Sequence, residues 1–148
     1  MSKKVIISAC ILGAFCRYDG KTKKIASVLE AFDGYEIIPF CPEAPLFGTP
    51  RERISVVAFG DDERIITDEG KKDVTDLLEA EIESFCDKNL EVDAIVLKSK
   101  SPSCGSGTTP ILDSSGEVVR LGDGVATKIF LKKYAKIEIK DELNFSNI

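Results

Sequence analysis

Two short, uninterrupted apolar runs constrain the fold of this chain more than any other feature. They lie in KVIIS (residues 4–8) and AIVL (residues 94–97), and neither has the alternation of polar and apolar residues of a surface strand. Continuous apolar runs of this length are typical of strands covered on both faces, as in parallel sheets. Both runs therefore predict buried strands.

Three segments carry apolar residues at helical spacing, and each predicts a helix. They are KKIASVLEAF (23–32), VTDLLEAEIESFCDK (74–88) and GDGVATKIFLKKY (122–134). In the longest, the residues expected to face the core are Val74, Leu77, Leu78, Ile82 and Phe85. Its acidic face is expected to be solvated and consists of Asp76, Glu79, Glu83 and Asp87.

Further strands are predicted between these helices. YEIIPF (35–40) predicts a second strand, whereas the three prolines and one glycine of CPEAPLFGTPR (41–51) predict that no regular structure follows it. KIEI (136–139) predicts a final short strand, and the tail from residue 141 is expected to be loosely held. Two hairpins are also expected, formed by residues 53–60 with 64–68 and by residues 108–112 with 117–121.

The alternation of strands and helices predicts the α/β class. At 148 residues the chain has the length of one ordinary domain with one core. We expect a single domain over residues 1–148, built as a Rossmann-like, mainly parallel sheet flanked by helices, with one or two β-hairpin insertions.

Charge and hydropathy exclude several kinds of partner. The net charge is −5 and the basic residues are scattered, which disfavours duplex nucleic acid. No apolar stretch is long enough to cross a bilayer, so we expect no membrane partner and a cytoplasmic, reducing location.

Five cysteines and no histidine narrow the chemistry. The missing imidazole excludes Cys-His and Ser-His-Asp nucleophiles and every histidine-ligated zinc site. No C-x-x-C pair, G-x-G-x-x-G or G-x-x-x-x-G-K motif occurs, which disfavours zinc ribbons, nicotinamide binding and P-loop chemistry. In a reducing compartment, the cysteines favour metal binding or thiol chemistry over disulfides.

Three of the cysteines follow predicted strands. Cys10, Cys41 and Cys104 each lie after a strand, and residues at that edge of an open α/β sheet form its ligand site. Cys16 could face the same site or be a loop thiol. Cys86 lies on the apolar side of the longest helix, where a cysteine commonly serves as a small core residue.

An iron-sulfur cluster can take thiolates from distant loops, and three protein ligands leave one iron open as a Lewis acid. Polar groups that could assist lie beside the thiols in the sequence. They are Glu43, Lys98, Ser99, Ser101 and Ser103, and the backbone amides of SPSCGSG could form an anion-holding nest. The same residues could instead be an exposed loop carboxylate and turn-forming serines.

Several motifs, taken in order, resemble those of a small bacterial family that includes the iron-sulfur-dependent thiouracil desulfidases. The motifs are SACILGAFCRYDG, FCPEAPLFGTPR, DVT, LKSKSPSCGSG and GDGVAT. The resemblance covers nearly the whole chain. It implies an oxygen-sensitive 4Fe-4S cluster and non-redox removal of sulfur from a thiocarbonyl compound, such as a 2-thiouracil-like base.

The resemblance also implies roles for individual residues. Cys10, Cys41 and Cys104 would hold the cluster, with Cys16 as the alternate ligand. Glu43 would activate water for attack on the ring carbon while the substrate sulfur binds the open iron, and Ser101 would assist proton transfer or hold the ring. The substrate-binding residues would be Lys98, Ser101 and Ser103. The segments APLFGTPRERI and GVAT depart from the usual family pattern, which bears on the size of the accepted compound.

Two other functions are compatible with the cysteines. A thiol redox or persulfide-transfer protein would use Cys10 and Cys16 as a reversible pair. A structural or sulfur-sensing module would use the thiolates to hold zinc. Neither function requires Glu43 or the serines beside the thiols.

Overall fold

The chain forms eight strands and four helices in the part described by the computed structural model, which comprises residues 3–9, 11, 26–47, 52–101 and 103–143. The two continuous apolar runs, residues 4–8 and 94–97, form the first and fifth strands. In chain order the elements are β1 (Lys4–Ser8), α1 (Ala26–Ala31), β2 (Glu36–Phe40), α2 (Glu43–Phe47), β3 (Ile54–Phe59), β4 (Asp62–Thr67), α3 (Thr75–Lys88), β5 (Ala94–Leu97), β6 (Thr109–Leu112), β7 (Val118–Gly122), α4 (Val125–Lys133) and β8 (Ile139–Asp141).

The strands are divided between two four-stranded sheets. The first has the order β2-β1-β5-β8, and all its neighbouring strands are parallel. The second has the order β4-β3-β6-β7: the two predicted hairpins are antiparallel pairs, joined to each other by parallel pairing of β3 with β6. The α/β class is thus confirmed, and the hairpins form a sheet of their own because their central strands pair.

Strand β1 is covered on both faces, as its apolar run predicts. Val5 and Ile7 pack with Val28 and Phe32 near α1, whereas Ile6 belongs to the larger core beneath α3 and α4. Alternate residues of a strand point to opposite faces, so a strand buried on both sides needs apolar residues at every position.

An aromatic cluster fixes the carboxyl end of β2 against the two larger helices. The Phe40 ring lies 4.7 Å from the ring of Phe85 on α3 and 5.1 Å from the ring of Phe130 on α4, measured between centroids. Phe40 is the last residue of β2, and Cys41 follows it directly. This packing therefore sets where the chain leaves the strand.

Three sequence-based expectations are wrong in detail. The segment after β2 is not irregular throughout, because α2 forms over Glu43–Phe47 with Pro45 in its first turn, where a missing N–H costs no intrahelical bond. Leu77 is 56% exposed because the buried stripe of α3 runs through Leu78 and Ile82 instead. The tail from residue 141 is not loosely held at its start, since Asp141 is buried in β8.

The other predicted elements are present, although the final strand β8 is Ile139–Asp141 and not residues 136–139, of which only Ile139 lies in it. The four acidic residues predicted to face solvent on α3 are exposed. None of the helices in the described ranges combines the length and hydropathy needed to cross a bilayer.

Candidate functional site

The carboxyl ends of three parallel strands meet at one edge of the first sheet. The backbone N–H of Lys98, just after β5, donates to the hydroxyl of Ser8 at the end of β1 over 2.8 Å. The N–H of Ala9 donates to the carbonyl of Phe40 at the end of β2, also over 2.8 Å. Ligand sites in open α/β sheets form at such an edge.

One buried hydrogen bond joins the CPE segment to the SPSCG loop. The hydroxyl of Ser103 donates to the carboxylate Oε2 of Glu43 over 2.7 Å, although the two residues are 60 positions apart. Ser103 is 1% exposed, and Glu43 is buried as well. A hydrogen bond to a buried charged group contributes about 1.5–3 kcal/mol, so this contact fixes the carboxylate relative to the loop.

Ser101 organises the loop that carries Cys104. Its Oγ accepts from the backbone N–H groups of Cys104, at 3.1 Å, and Ser103, at 3.3 Å. Its carbonyl accepts from the N–H of Gly105, at 2.9 Å, and from the hydroxyl of Thr109, at 2.6 Å. The Oγ atoms of Ser101 and Ser103 lie 3.3 Å apart, so the two serines and Glu43 form a continuous line of polar groups.

The first residues of α4 donate hydrogen bonds to the backbone of this loop. The N–H of Ala126 donates to the carbonyl of Ser103 over 2.7 Å, and the hydroxyl of Thr127 donates to the carbonyl of Cys104 over 3.0 Å. The backbone at Gly124 comes so close that a Cβ added there would lie 2.5 Å from the carbonyl carbon of Ser103. Glycine at this position permits the contact between helix and loop.

Replacing Gly124 with alanine is expected to displace the loop, because the added Cβ would collide with backbone rather than with a flexible side chain. We expect the free energy of unfolding to fall by about 1–3 kcal/mol. Thermal and denaturant unfolding would measure this loss. Gly70→Ala is the matched control, since its Cβ would make only ordinary contacts of 3.4 Å and beyond; equal losses in both variants would contradict the proposed close contact.

The cysteines occupy different environments. Cys41 is half-buried directly after β2, and Cys104 is 5% exposed within the loop after β5. Cys86 is 2% exposed in the core, as its position on α3 predicts, and burial raises the pKa of its thiol despite a hydrogen bond with Tyr134. Cys86 thus serves as a small residue of the core cluster.

The predicted ligands Cys10 and Cys16 lie outside the described residues. The sequence neighbours of Cys10, Ala9 and Ile11, lie at the carboxyl end of β1. Within the described ranges, no three Cys, Asp or Glu side chains converge as a metal site. The ligand assignment therefore stays a prediction.

Lys98 has a buried partner that the sequence-based site did not include. Its Nζ lies 2.8 Å from Oε2 of Glu142, directly after β8. Burial opposes ionisation of Glu142, but its bonds with Lys98 and Ser99 outweigh that cost and lower its pKa below the ordinary value. Glu142 follows the parallel strand β8, so the rule that residues after such strands form the ligand site also applies to it. Glu142 is absent from the site predicted by the sequence because it lies in the tail that is expected to be loosely held. Substrate contact by Lys98 and Ser103 stays a prediction.

The chain is similar in sequence and in fold to known proteins. A family model described as 2-thiouracil desulfurase matches residues 5–142. The uncharacterized protein YbbK of Bacillus subtilis (strain 168) is 30% identical over 149 aligned residues, covering 95% of this chain and 97% of that protein. A solved structure of the [4Fe-4S]-dependent thiouracil desulfidase TudS has a TM-score of 0.74 and 31% identity, covering 99% of this chain and 95% of the other. With the motifs around Cys41 and Cys104 in place and a match over nearly its full length, the chain belongs to the 2-thiouracil desulfurase family.

Proposed function

We propose that this chain, as a single desulfidase-like domain over residues 1–148, removes sulfur from a thiocarbonyl compound of the 2-thiouracil class. Water supplies the oxygen, so the products are the oxo compound and sulfide, and no electrons are exchanged. The observation that carries the proposal is the buried hydrogen bond from Ser103 to Glu43. It joins a carboxylate two residues from Cys41 to a hydroxyl next to Cys104, as a site combining base and metal requires.

We propose a 4Fe-4S cluster as cofactor, held by Cys10, Cys41 and Cys104. Thiolates are the natural ligands of such clusters. The sequence neighbours of these cysteines support the fit: Ala9 donates to the carbonyl of Phe40, and Glu43 accepts from Ser103. When bound through three thiolates, the cluster supplies an open, Lewis-acidic iron for the substrate sulfur. We propose a cytoplasmic location, because reducing conditions there would keep these cysteines as thiolates.

The chain's own residues have separate roles in the proposed reaction. Glu43 acts as the general base that takes a proton from water, and the hydroxyl of Ser103 orients its carboxylate. Ser101 lies 3.3 Å from Ser103 between their Oγ atoms, where its hydroxyl can assist proton transfer or hold the substrate ring. The loop and α4 hold these groups in place before substrate binds, which lowers the entropic cost of reaching the reactive geometry.

The test begins with anaerobic purification, analysis of iron, sulfide and zinc, and reconstitution of the cluster. The loaded protein is then incubated with 2-thiouracil without any electron donor. We expect a brown protein that releases uracil and sulfide in equal amounts. A protein that takes up no iron, or one that needs a reductant for turnover, would contradict the proposal; a colourless protein that retains zinc would support a structural module instead.

A further inference from the structure

The carboxylate of Glu142 receives three hydrogen bonds from the residues that follow β5. The backbone N–H of Ser99 donates to Oε1 over 2.7 Å, and the hydroxyl of Ser99 donates to Oε2 over 2.7 Å. The ammonium of Lys98 lies 2.8 Å from the same Oε2. The Glu142 side chain is only 7% exposed. A carboxylate in such surroundings is stable only because several donors compensate the loss of water.

The ammonium of Lys98 is equally occupied. Besides Oε2 of Glu142, its Nζ has the carbonyl of Ser99 at 3.1 Å and the hydroxyl of Ser99 at 3.4 Å. A lysine ammonium has three N–H groups, and three acceptors surround this one. The side chain is therefore engaged within the protein rather than directed to a ligand.

These contacts lie at the first residues of the loop that carries the candidate site. After Ser99, the chain turns through Lys100, which has a φ of 63°, and the N–H of Lys100 donates to the hydroxyl of Thr108 over 2.9 Å. Left-handed backbone at a non-glycine residue is strained and persists where the surrounding contacts hold it. Ser101 follows directly, and its Oγ supports the backbone of Ser103 and Cys104.

We propose that Glu142 is a positioning residue for the reaction, acting through a clasp made of Lys98, Ser99 and Glu142. The clasp fixes the start of the loop and thereby the positions of Ser101, Ser103 and Cys104. Lys98 contributes as a partner of Glu142 and not as a direct contact to substrate. The expected effect on kcat rests on the proposed function. The expected effect on the order of the loop does not, because it can be measured without catalysis.

Glu142→Gln is the main test, since the amide keeps the size of the side chain but removes the charge that pairs with Lys98. We expect kcat for sulfide release to fall about 10- to 100-fold with little change in KM, because the reacting groups are misplaced and not deleted. In cluster-free protein, we expect the amide hydrogens of Cys104 and Gly105 to exchange at least about tenfold faster, as their loop opens locally more often.

Glu138→Gln is the matched control. Like Glu142, Glu138 pairs with a lysine: its Oε1 lies 2.9 Å from Nζ of Lys140 on β8. The side chain of Glu138, however, is 76% exposed. Exposed ion pairs contribute little, so kcat and amide exchange in the loop should not change.

Lys98→Met and the double variant separate the clasp from a substrate contact. If Lys98 acts only through Glu142, Lys98→Met reproduces the loss in kcat, and the double variant is no worse than either single one. A raised KM in Lys98→Met, adding to the effect of Glu142→Gln, would overturn the clasp in favour of substrate binding. Unchanged amide exchange in the loop of Glu142→Gln would also overturn it. If no variant or parent desulfurates thiouracil, amide exchange in the cluster-free protein still decides the clasp by itself.

Discussion

Cys104→Ala is expected to yield a protein that folds but cannot be reconstituted to a brown, iron-containing form. The substitution removes one of three proposed thiolate ligands, and the loop around it keeps its backbone bonds to Ser101, Ala126 and Thr127. Iron content, visible absorbance and sulfide release should all fall to background after anaerobic reconstitution. A brown, active Cys104→Ala protein would remove Cys104 from the ligand set.

Cys86→Ala provides the matched control, because both thiols are almost fully buried. Loss of the Cys86 sulfur leaves a small cavity against α4 and is expected to cost on the order of 1 kcal/mol of stability. Cluster content and turnover should not change. Loss of iron in this variant would contradict the assignment of Cys86 as a core residue with no part in holding the cluster.

The same measurement decides between Cys41 and Cys16. We propose that Cys10→Ser and Cys41→Ser lose the cluster, whereas Cys16→Ser retains it. The opposite result for Cys41 and Cys16 would exchange their assignments without changing the proposed reaction. If Cys10 and Cys16 instead form a disulfide whose reduction is required for activity, the thiol redox function gains support.

Glu43→Gln is expected to keep the cluster and lose turnover. The amide oxygen can still accept from Ser103, so the contact between the CPE segment and the loop persists while the base is removed. General base catalysis contributes about 10²–10⁴-fold, and we expect kcat for sulfide release from 2-thiouracil to fall by that factor. Absorbance and iron content report on the cluster independently of the rate.

Ser103→Ala helps to interpret the Glu43 result. It leaves the carboxylate in place but removes the donor that orients it, so its effect on kcat should be smaller than that of Glu43→Gln. Ser103→Thr retains the hydroxyl and should recover part of the rate. If Glu43→Gln turns over 2-thiouracil at the parent rate, Glu43 is not the base, and the line of polar groups has only a structural role.

The parts of the fold that the sequence predicts well are those governed by local pattern. Strands β1 and β5 begin and end at the residues that their apolar runs predict, because the positions covered on both faces, residues 5–7 and 95–97, must be apolar. Helix α2 does not follow from the local pattern, since proline is read as a helix breaker although the first helical turn tolerates it. The pairing of β3 with β6 does not follow from it either, because it depends on distant residues.

The position of the candidate site could be predicted from the sequence, whereas the contacts of its side chains could not. Its position at the strand ends follows from the topology of parallel sheets, which places Cys41 and the loop of Cys104 at one edge of the first sheet. The partners of individual side chains do not follow from spacing. Ser103 bonds Glu43 across 60 residues, and Ser99 bonds Glu142 across 43, so both contacts depend on how distant segments pack in the folded chain.

The loop from residue 98 to residue 108 leaves the first sheet after β5 and enters the second at β6. It is held at one end by Glu142 and near the other by Thr109, whose hydroxyl donates to the carbonyl of Ser101. A segment secured at both ends has few conformations to lose when a ligand arrives. Ligand binding should therefore carry only a small entropic cost from ordering this loop, and more of the contact energy remains available as affinity.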